Sequence, residues 1–199
     1  MPEISKAKVI ILATHGFEQS ELMVPQRKLK EAGAEVVVVS PERGQIRGWK
    51  EKDWGESVAV DKTLDEVRAD DYDAIVLPGG QINPDLLRLN DKALQLIRSF
   101  LDSGKVVAAI CHAPWLLVEL DAVRNLQVTS YKSIKTDVVN AGGKWVDRAV
   151  VTDRGIITSR NPGDLDAFCA KVIEEIEEGD HSRQRAARSR QGEQRPGVH

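Results

Sequence analysis

The stretch that most constrains this chain is Val106-Val107-Ala108-Ala109-Ile110, followed by Cys111-His112-Ala113-Pro114-Trp115-Leu116-Leu117. Five small or β-branched residues in a row, opened by Gly104-Lys105, are too few for a core helix. They read as a strand buried on both faces, the kind found in parallel sheets covered by helices. Pro114 suits the first turn of a following helix, where its missing N–H costs nothing. Cys111 therefore falls on a strand-to-helix turn, with Ala109 and Ala113 two residues to either side. That is the small-x-nucleophile-x-small spacing of a nucleophile elbow. The start of the helix behind the sulfur predicts a thiol shifted toward thiolate. The competing reading is a small buried hydrophobe, since free cysteines are commonly buried. The second cysteine fits that description. Cys169 lies on the helical stripe Leu165, Phe168, Val172, Ile173, Ile176 and is expected to be structural.

The rest of the chain repeats the alternation. Buried-strand runs are expected at 8–13, 35–40, 73–77 and 106–110. A helical pattern through Leu22 and Leu29, stopped by Gly33, links the first two, which is the length of a right-handed parallel crossover. Residues 41–55 read as a loop, with Gly44, Gly48, Gly55, Trp49 and Trp54, and 57–61 as a short strand or hairpin arm. Helices are expected at 91–102, after Cys111, and at 134–141; 149–152 and 156–159 straddle a turn at Asp153-Arg154-Gly155. Alternating strands and helices mean a layered α/β domain, whose ligands sit outside the carboxyl ends of the strands. Residues 14–21, 78–87 and 111–114 are the loops that meet there.

Composition narrows the class. With 199 residues and 41% hydrophobic content, the chain suits one globular domain, expected over 1–179. No apolar run is long enough for a membrane span, and no signal-peptide pattern is read at the start. Two distant cysteines argue against a disulfide framework and against a zinc site, so a reducing cytoplasm, no metal and no cofactor are expected. Residues 180–199 hold five arginines against Asp180 and Glu193, a net +3 on a chain of −3. This basic tail reads as disordered rather than as a nucleic-acid arm.

A reactive cysteine needs a proton shuttle and donors for an oxyanion. Four histidines are present, and His181 and His199 lie in the tail. His112 is the leading shuttle. His15, after the first strand, is a second candidate, weighed against an ordinary loop histidine. Gly79-Gly80, after a buried strand, suits either close backbone approach to a substrate or a tight turn. Glu18 opens the first helix. A carboxylate near a thiolate is raised in pKa and can donate to the sulfur; the alternative is a helix-capping carboxylate.

In these residues the chain resembles the DJ-1/PfpI superfamily, closest to PfpI-like intracellular proteases and stress proteins. The matching pieces are Phe17-Glu18-Gln19-Ser20-Glu21-Leu22, Leu77-Pro78-Gly79-Gly80, Ala109-Ile110-Cys111-His112-Ala113-Pro114, Thr129-Ser130-Tyr131, Asn140-Ala141-Gly142 and Ser159-Arg160-Asn161-Pro162. The resemblance runs from about residue 8 to 176 and implies a flavodoxin-like layered sandwich with a mostly parallel sheet flanked by helices. It also implies Cys111 as nucleophile, His112 as its base, Glu18 as the carboxyl touching the thiol and Tyr131 at the pocket wall. PfpI-like members take a further acid from a neighbouring subunit; the matching position is Asp85, a methylene shorter than their glutamate. A homo-oligomer, a dimer at minimum, is implied with it. The chain departs from many relatives at Ala113, where they carry glycine, and in a longer loop around Trp49 to Gly55. No histidine stands between His112 and His181, which argues against glutamine amidotransferase chemistry. The implied activity is a cysteine hydrolase in stress protection, either a peptidase or a deglycase for peptide, small-carbonyl or glycated substrates. The alternative is a redox-responsive stress protein or holdase chaperone whose Cys111 is oxidised rather than turned over.

Overall fold

Alternation along each buried strand sends its side chains into two separate cores. The computed structural model describes residues 3–179; the tail expected at 180–199, with His181 and His199, lies outside the described residues. The chain begins β1 (Lys8–Leu12), β2 (Phe17–Glu18), α1 (Gln19–Glu31), β3 (Glu35–Ser40), β4 (Gln45–Lys50), β5 (Asp53–Ala59) and β6 (Lys62–Thr63). It continues β7 (Ala74–Leu77), α2 (Ile82–Leu87), α3 (Asp91–Asp102), β8 (Val106–Ile110) and α4 (Pro114–Glu119). It ends β9 (Gln127–Val128), α5 (Lys135–Asn140), β10 (Lys144–Trp145), β11 (Val150–Asp153), β12 (Ile156–Ser159) and α6 (Leu165–Glu178).

Seven strands form one sheet in the order β11-β12-β8-β7-β1-β3-β6, parallel except where β11 meets β12. Ile10, Ile75, Leu77, Val107 and Ala109 face a core closed by Ile97 and Phe100 of α3 and Leu116 and Leu117 of α4. Val9, Ile11, Val76, Ala108 and Ile110 face the opposite core, closed by Leu22 and Leu29 of α1 and Phe168, Val172 and Ile176 of α6. Each fully buried Ile or Leu contributes about 1.5–3 kcal/mol to this sandwich. Cys169 is 1% exposed in the α6 face of that second core.

The stretch expected to be a loop at 41–55 is a correction. It is most of a β-hairpin, β4 against β5, joined to β2 in a small second sheet. Its arms are largely solvent-exposed, so no apolar alternation marked them, and Gly48 and Gly55 weaken the strand pattern further. A cross-strand pair, Trp49 edge-on to Trp54 at 5.5 Å between ring centroids, ties the arms together.

Candidate active site

The carboxyl ends of β1, β7 and β8 deliver the three expected loops to one place. Buried Asn83 fastens two of them: its Oδ1 accepts from Thr14 N at 2.8 Å and its Nδ2 donates to Pro78 O at 2.8 Å. The third loop is the elbow. Cys111 has φ +65, the left-handed region that non-glycine residues avoid. Two backbone bonds hold it there, Cys111 N to Ser159 O at 3.0 Å and Tyr131 N to Cys111 O at 2.7 Å. Strain of this kind costs about 1–3 kcal/mol and persists only where the surroundings over-determine it. Pro114 is the first residue of α4, as its ring geometry favours.

The turn brings the Cys111 and His112 side chains together, with Sγ to Nδ1 at 3.2 Å. The other ring nitrogen, Nε2, meets Ser133 Oγ at 3.1 Å. Tyr131 stacks on the imidazole at 4.6 Å and Trp115 packs edge-on at 5.3 Å. Burial pushes the His112 pKa down, which keeps the ring neutral and able to accept a proton.

Glu21, rather than Glu18, is the carboxyl facing the thiol. Glu21 is fully buried; its Oε2 accepts from Gly79 N at 2.8 Å, and its side chain interacts with Cys111. Burial pushes the Glu21 carboxyl up to about 8, and the neighbouring Glu18 charge pushes in the same direction. Glu18, half-buried, accepts instead from Ser20 Oγ at 3.2 Å. The reason is helix phase. Glu21 shares the buried face of α1 with Leu22, Pro25 and Leu29, whereas Glu18 precedes the helix. That spacing was the available signal for Glu21 in the sequence.

The thiol shifts opposite to the sequence expectation. Burial and the Glu21 carboxyl raise the Cys111 pKa, and the Gly80 and His112 backbone N–H groups aimed at the sulfur oppose this only in part. Both groups are pushed toward their protonated forms, because burial opposes a charge on either one. The two glycines also divide their work. Gly79 N–H is taken by Glu21, which leaves Gly80 N–H facing the sulfur. A Cβ at Gly79 would stand 2.5 Å from Glu21 Oε2, and one at Gly80, where φ is +83, would stand 2.4 Å from Gly16 O.

Two predicted residues lie elsewhere. His15 is exposed, with Nδ1 accepting from Arg47 N at 3.1 Å, so it braces the β4–β5 hairpin instead of lining the site. Asp85 is exposed on α2. His112 meets no carboxylate of its own chain among the described residues. The cavity over Cys111 measures about 440 Å³ and is lined by Gly16, Glu18, Glu21, Trp49, Glu51, Gly80, Gln81, Ile82, His112, Tyr131 and Pro162. Trp49, Glu51 and Ser133 went unseen in the sequence, because a hairpin and a distant turn carry them in. Among the described residues no cluster of His, Cys, Asp and Glu is arranged to hold a metal ion. No helix of the described residues is long and apolar enough to cross a membrane.

The fold and the sequence have known counterparts. The model of the DJ-1/PfpI family matches residues 7–175. The chain belongs to the DJ-1/PfpI family. It is 43% identical over 166 residues to deglycase PfpI of Pyrococcus furiosus, covering 83% of this chain and 97% of that one. It is 42% identical to protein/nucleic acid deglycase 2 of Escherichia coli, covering 83% and 95% of the two chains. It is 40% identical to the Bacillus subtilis protein named putative cysteine protease YraA, covering 81% and 93%. Among solved structures, a two-domain protein from Anabaena variabilis, with DJ-1/ThiJ/PfpI-like and ferritin-like domains, superposes with TM-score 0.81 at 38% identity. This chain is covered over 86% of its length and spans 48% of that longer protein. Drosophila melanogaster DJ-1beta gives TM-score 0.78 at 28% identity, covering 96% of this chain and 100% of that one.

Proposed function

We propose that this DJ-1/PfpI protein is a cysteine hydrolase that releases amines or thiols from carbonyl-derived adducts, with Cys111 as nucleophile and His112 as its base. The single observation that carries this is the 3.2 Å Sγ–Nδ1 pair, held at a strained turn and open to a 440 Å³ cavity. In the first step Sγ bonds to the substrate carbonyl carbon. The C=O π pair moves to oxygen, and the thiol proton passes to His112 Nδ1. A carbonyl oxygen seated beside the sulfur meets the Gly80 N–H, the donor left free by Glu21. As the tetrahedral adduct collapses, the oxyanion pair re-forms C=O, the bond from that same carbon to nitrogen or sulfur breaks, His112 gives the leaving atom its proton, and water then hydrolyses the thioester left on Cys111. Ser133 fixes the His112 ring from its far side. Relatives named deglycase support this substrate class, and one named putative cysteine protease keeps peptides in the test.

The reading includes a homodimer at minimum, with Asp85 of one chain approaching His112 of the other. Support comes from the lack of a carboxylate on His112 among the described residues of its own chain. It also comes from the exposed Leu86 and Leu89 beside Asp85, 48% and 82% accessible.

A second reading rests on Glu21. Its Oε1 is buried without a hydrogen-bond partner. A protonated Glu21 has a donor for an oxygen on an oxidised Cys111 sulfur, which suits a redox-responsive stress protein. One panel separates the readings: wild type and Cys111→Ser compared for adduct hydrolysis, peptide hydrolysis and suppression of aggregation. Loss of adduct hydrolysis in Cys111→Ser supports the hydrolase. Equal adduct turnover by both proteins refutes it.

A further inference from the structure

Cys111 keeps its left-handed backbone because two separate segments grip it. Ser159, the last residue of β12, accepts from its N–H, and Tyr131, which follows β9, donates to its carbonyl. The strain persists only while both segments stay where they are. One stitch between them is Thr129 N donating to Thr158 Oγ1 at 2.9 Å.

Arg160 supplies another. On one side its Nε and Nη2 donate to the two carboxylate oxygens of Asp164, each at 2.9 Å, and its own N–H adds a bond to Oδ2 at 3.0 Å. Asp164 is buried, so these bonds tie residues 160–164 into a closed loop that carries Pro162 to the cavity wall. On the other side Nη1 donates to Asp147 Oδ1 at 2.9 Å. Asp147 follows β10, the strand paired with β9. There Val146 N donates to Val128 O, and Trp145 Nε1 donates to Ser130 Oγ at 3.0 Å, one residue before Tyr131. One planar guanidinium thus joins the segment that holds the Cys111 N–H to the segment that holds its carbonyl and stacks Tyr131 on His112.

We propose that Arg160 is a positioning residue for the Cys111–His112 pair: by bridging Asp147 and Asp164 it locks the two grips on the strained elbow into one register. The inference rests on the hydrolase reading for the reaction it serves, but the positioning itself is measurable at the thiol without turnover. Asp147 is 69% accessible, and so exposed an ion pair adds little to stability, so an effect on the thiol when it is broken comes from geometry.

The test uses the full chain and follows iodoacetamide labelling of Cys111 and Cys169 by mass spectrometry, beside the kinetics of adduct hydrolysis. Arg160→Ala should slow Cys111 labelling roughly fivefold, with Cys169 unchanged, since the thiol loses its aligned base. It should lower kcat about tenfold with KM little changed. Free guanidinium ion at a non-denaturing concentration should restore both in Arg160→Ala. Arg160→Lys should restore neither, because a point ammonium cannot span both carboxylates. Asp147→Ala leaves the Asp164 loop intact and should slow Cys111 labelling about threefold at an unchanged melting temperature. That variant carries the test should Arg160→Ala fail to fold. Cys111 labelling unmoved in folded Arg160→Ala or in Asp147→Ala overturns the proposal. So does slowing that guanidinium ion leaves unrelieved, or a wild-type rate in Arg160→Lys. Faster Cys169 labelling alongside would mark a loosened α6 and overturns it as well. If labelling behaves as expected while the wild type hydrolyses no adduct, the positioning stands and the hydrolase reading falls.

Discussion

His112 Nδ1 lies 3.2 Å from the Sγ of Cys111, its immediate neighbour in the chain. Adjacent side chains ordinarily diverge. Here the left-handed backbone at Cys111, pinned by Ser159 and Tyr131, folds the pair onto one side. The dyad is therefore a product of the turn, and its chemistry depends on what holds the turn.

Gly80→Ala tests that dependence. An added Cβ meets Gly16 O at 2.4 Å on a residue with φ +83. The expected loss is about 1–3 kcal/mol of stability, read as a lower denaturant midpoint, with activity falling further than stability does. A variant as stable and active as the wild type would show that this turn yields freely.

The two cysteines should separate by reactivity. Access decides this: Cys111 lines the cavity, while Cys169 is closed in by α6, and burial pushes both thiols up. Iodoacetamide should label Cys111 at least about tenfold faster in the native protein, with the difference abolished on unfolding. Equal native rates contradict the site as drawn.

Glu21 carries a pH signature. Its folded pKa stands near 8 against an ordinary value of 4.5, so the folded state binds the extra proton. Its contribution to stability is complete below pH 4.5 and is lost as pH rises toward and through 8. Melting temperature should fall over that window and fall less in Glu21→Gln, which mimics the protonated form. Parallel profiles for the two proteins would remove Glu21 from the titration.

Peroxide should oxidise Cys111 before Cys169, and the stop at sulfinic acid should depend on Glu21. In Glu21→Ala, intact-mass spectra should show a larger sulfonic fraction at the same peroxide dose. An unchanged product distribution excludes a hydrogen bond from Glu21 to the oxidised sulfur.

Shared sites predict complementation. Cys111→Ser and Asp85→Ala should each be inactive, and mixing them under subunit exchange should restore up to about one quarter of wild-type activity, since a mixed dimer holds one intact site. Verified exchange without recovery, or a fully active monomer, rules out Asp85 acting across the interface. Ser133→Ala should lower kcat about tenfold with little change in KM, the pattern of a group that orients the base.

Local sequence by itself determined the sheet. Unbroken apolar runs cannot be exposed, so β1, β3, β7 and β8 with α1 and α3 were legible, as was Cys111 at the end of the central strand. Pro114 and the Gly79-Gly80 pair marked their turns because only their backbone preferences fit them. What tertiary structure decided was which polar groups meet at the sulfur. Glu18 and Glu21 lie three residues apart, and the choice between them depended on which face of α1 packs against the sheet. Ser133 reaches His112, and Trp49 and Glu51 reach the cavity, only through long-range closure of the chain. The thiol pKa turned on the same closure. The helix start argues for a thiolate, but burial beside Glu21 outweighs it, and burial belongs to the assembled layers rather than to any stretch of sequence.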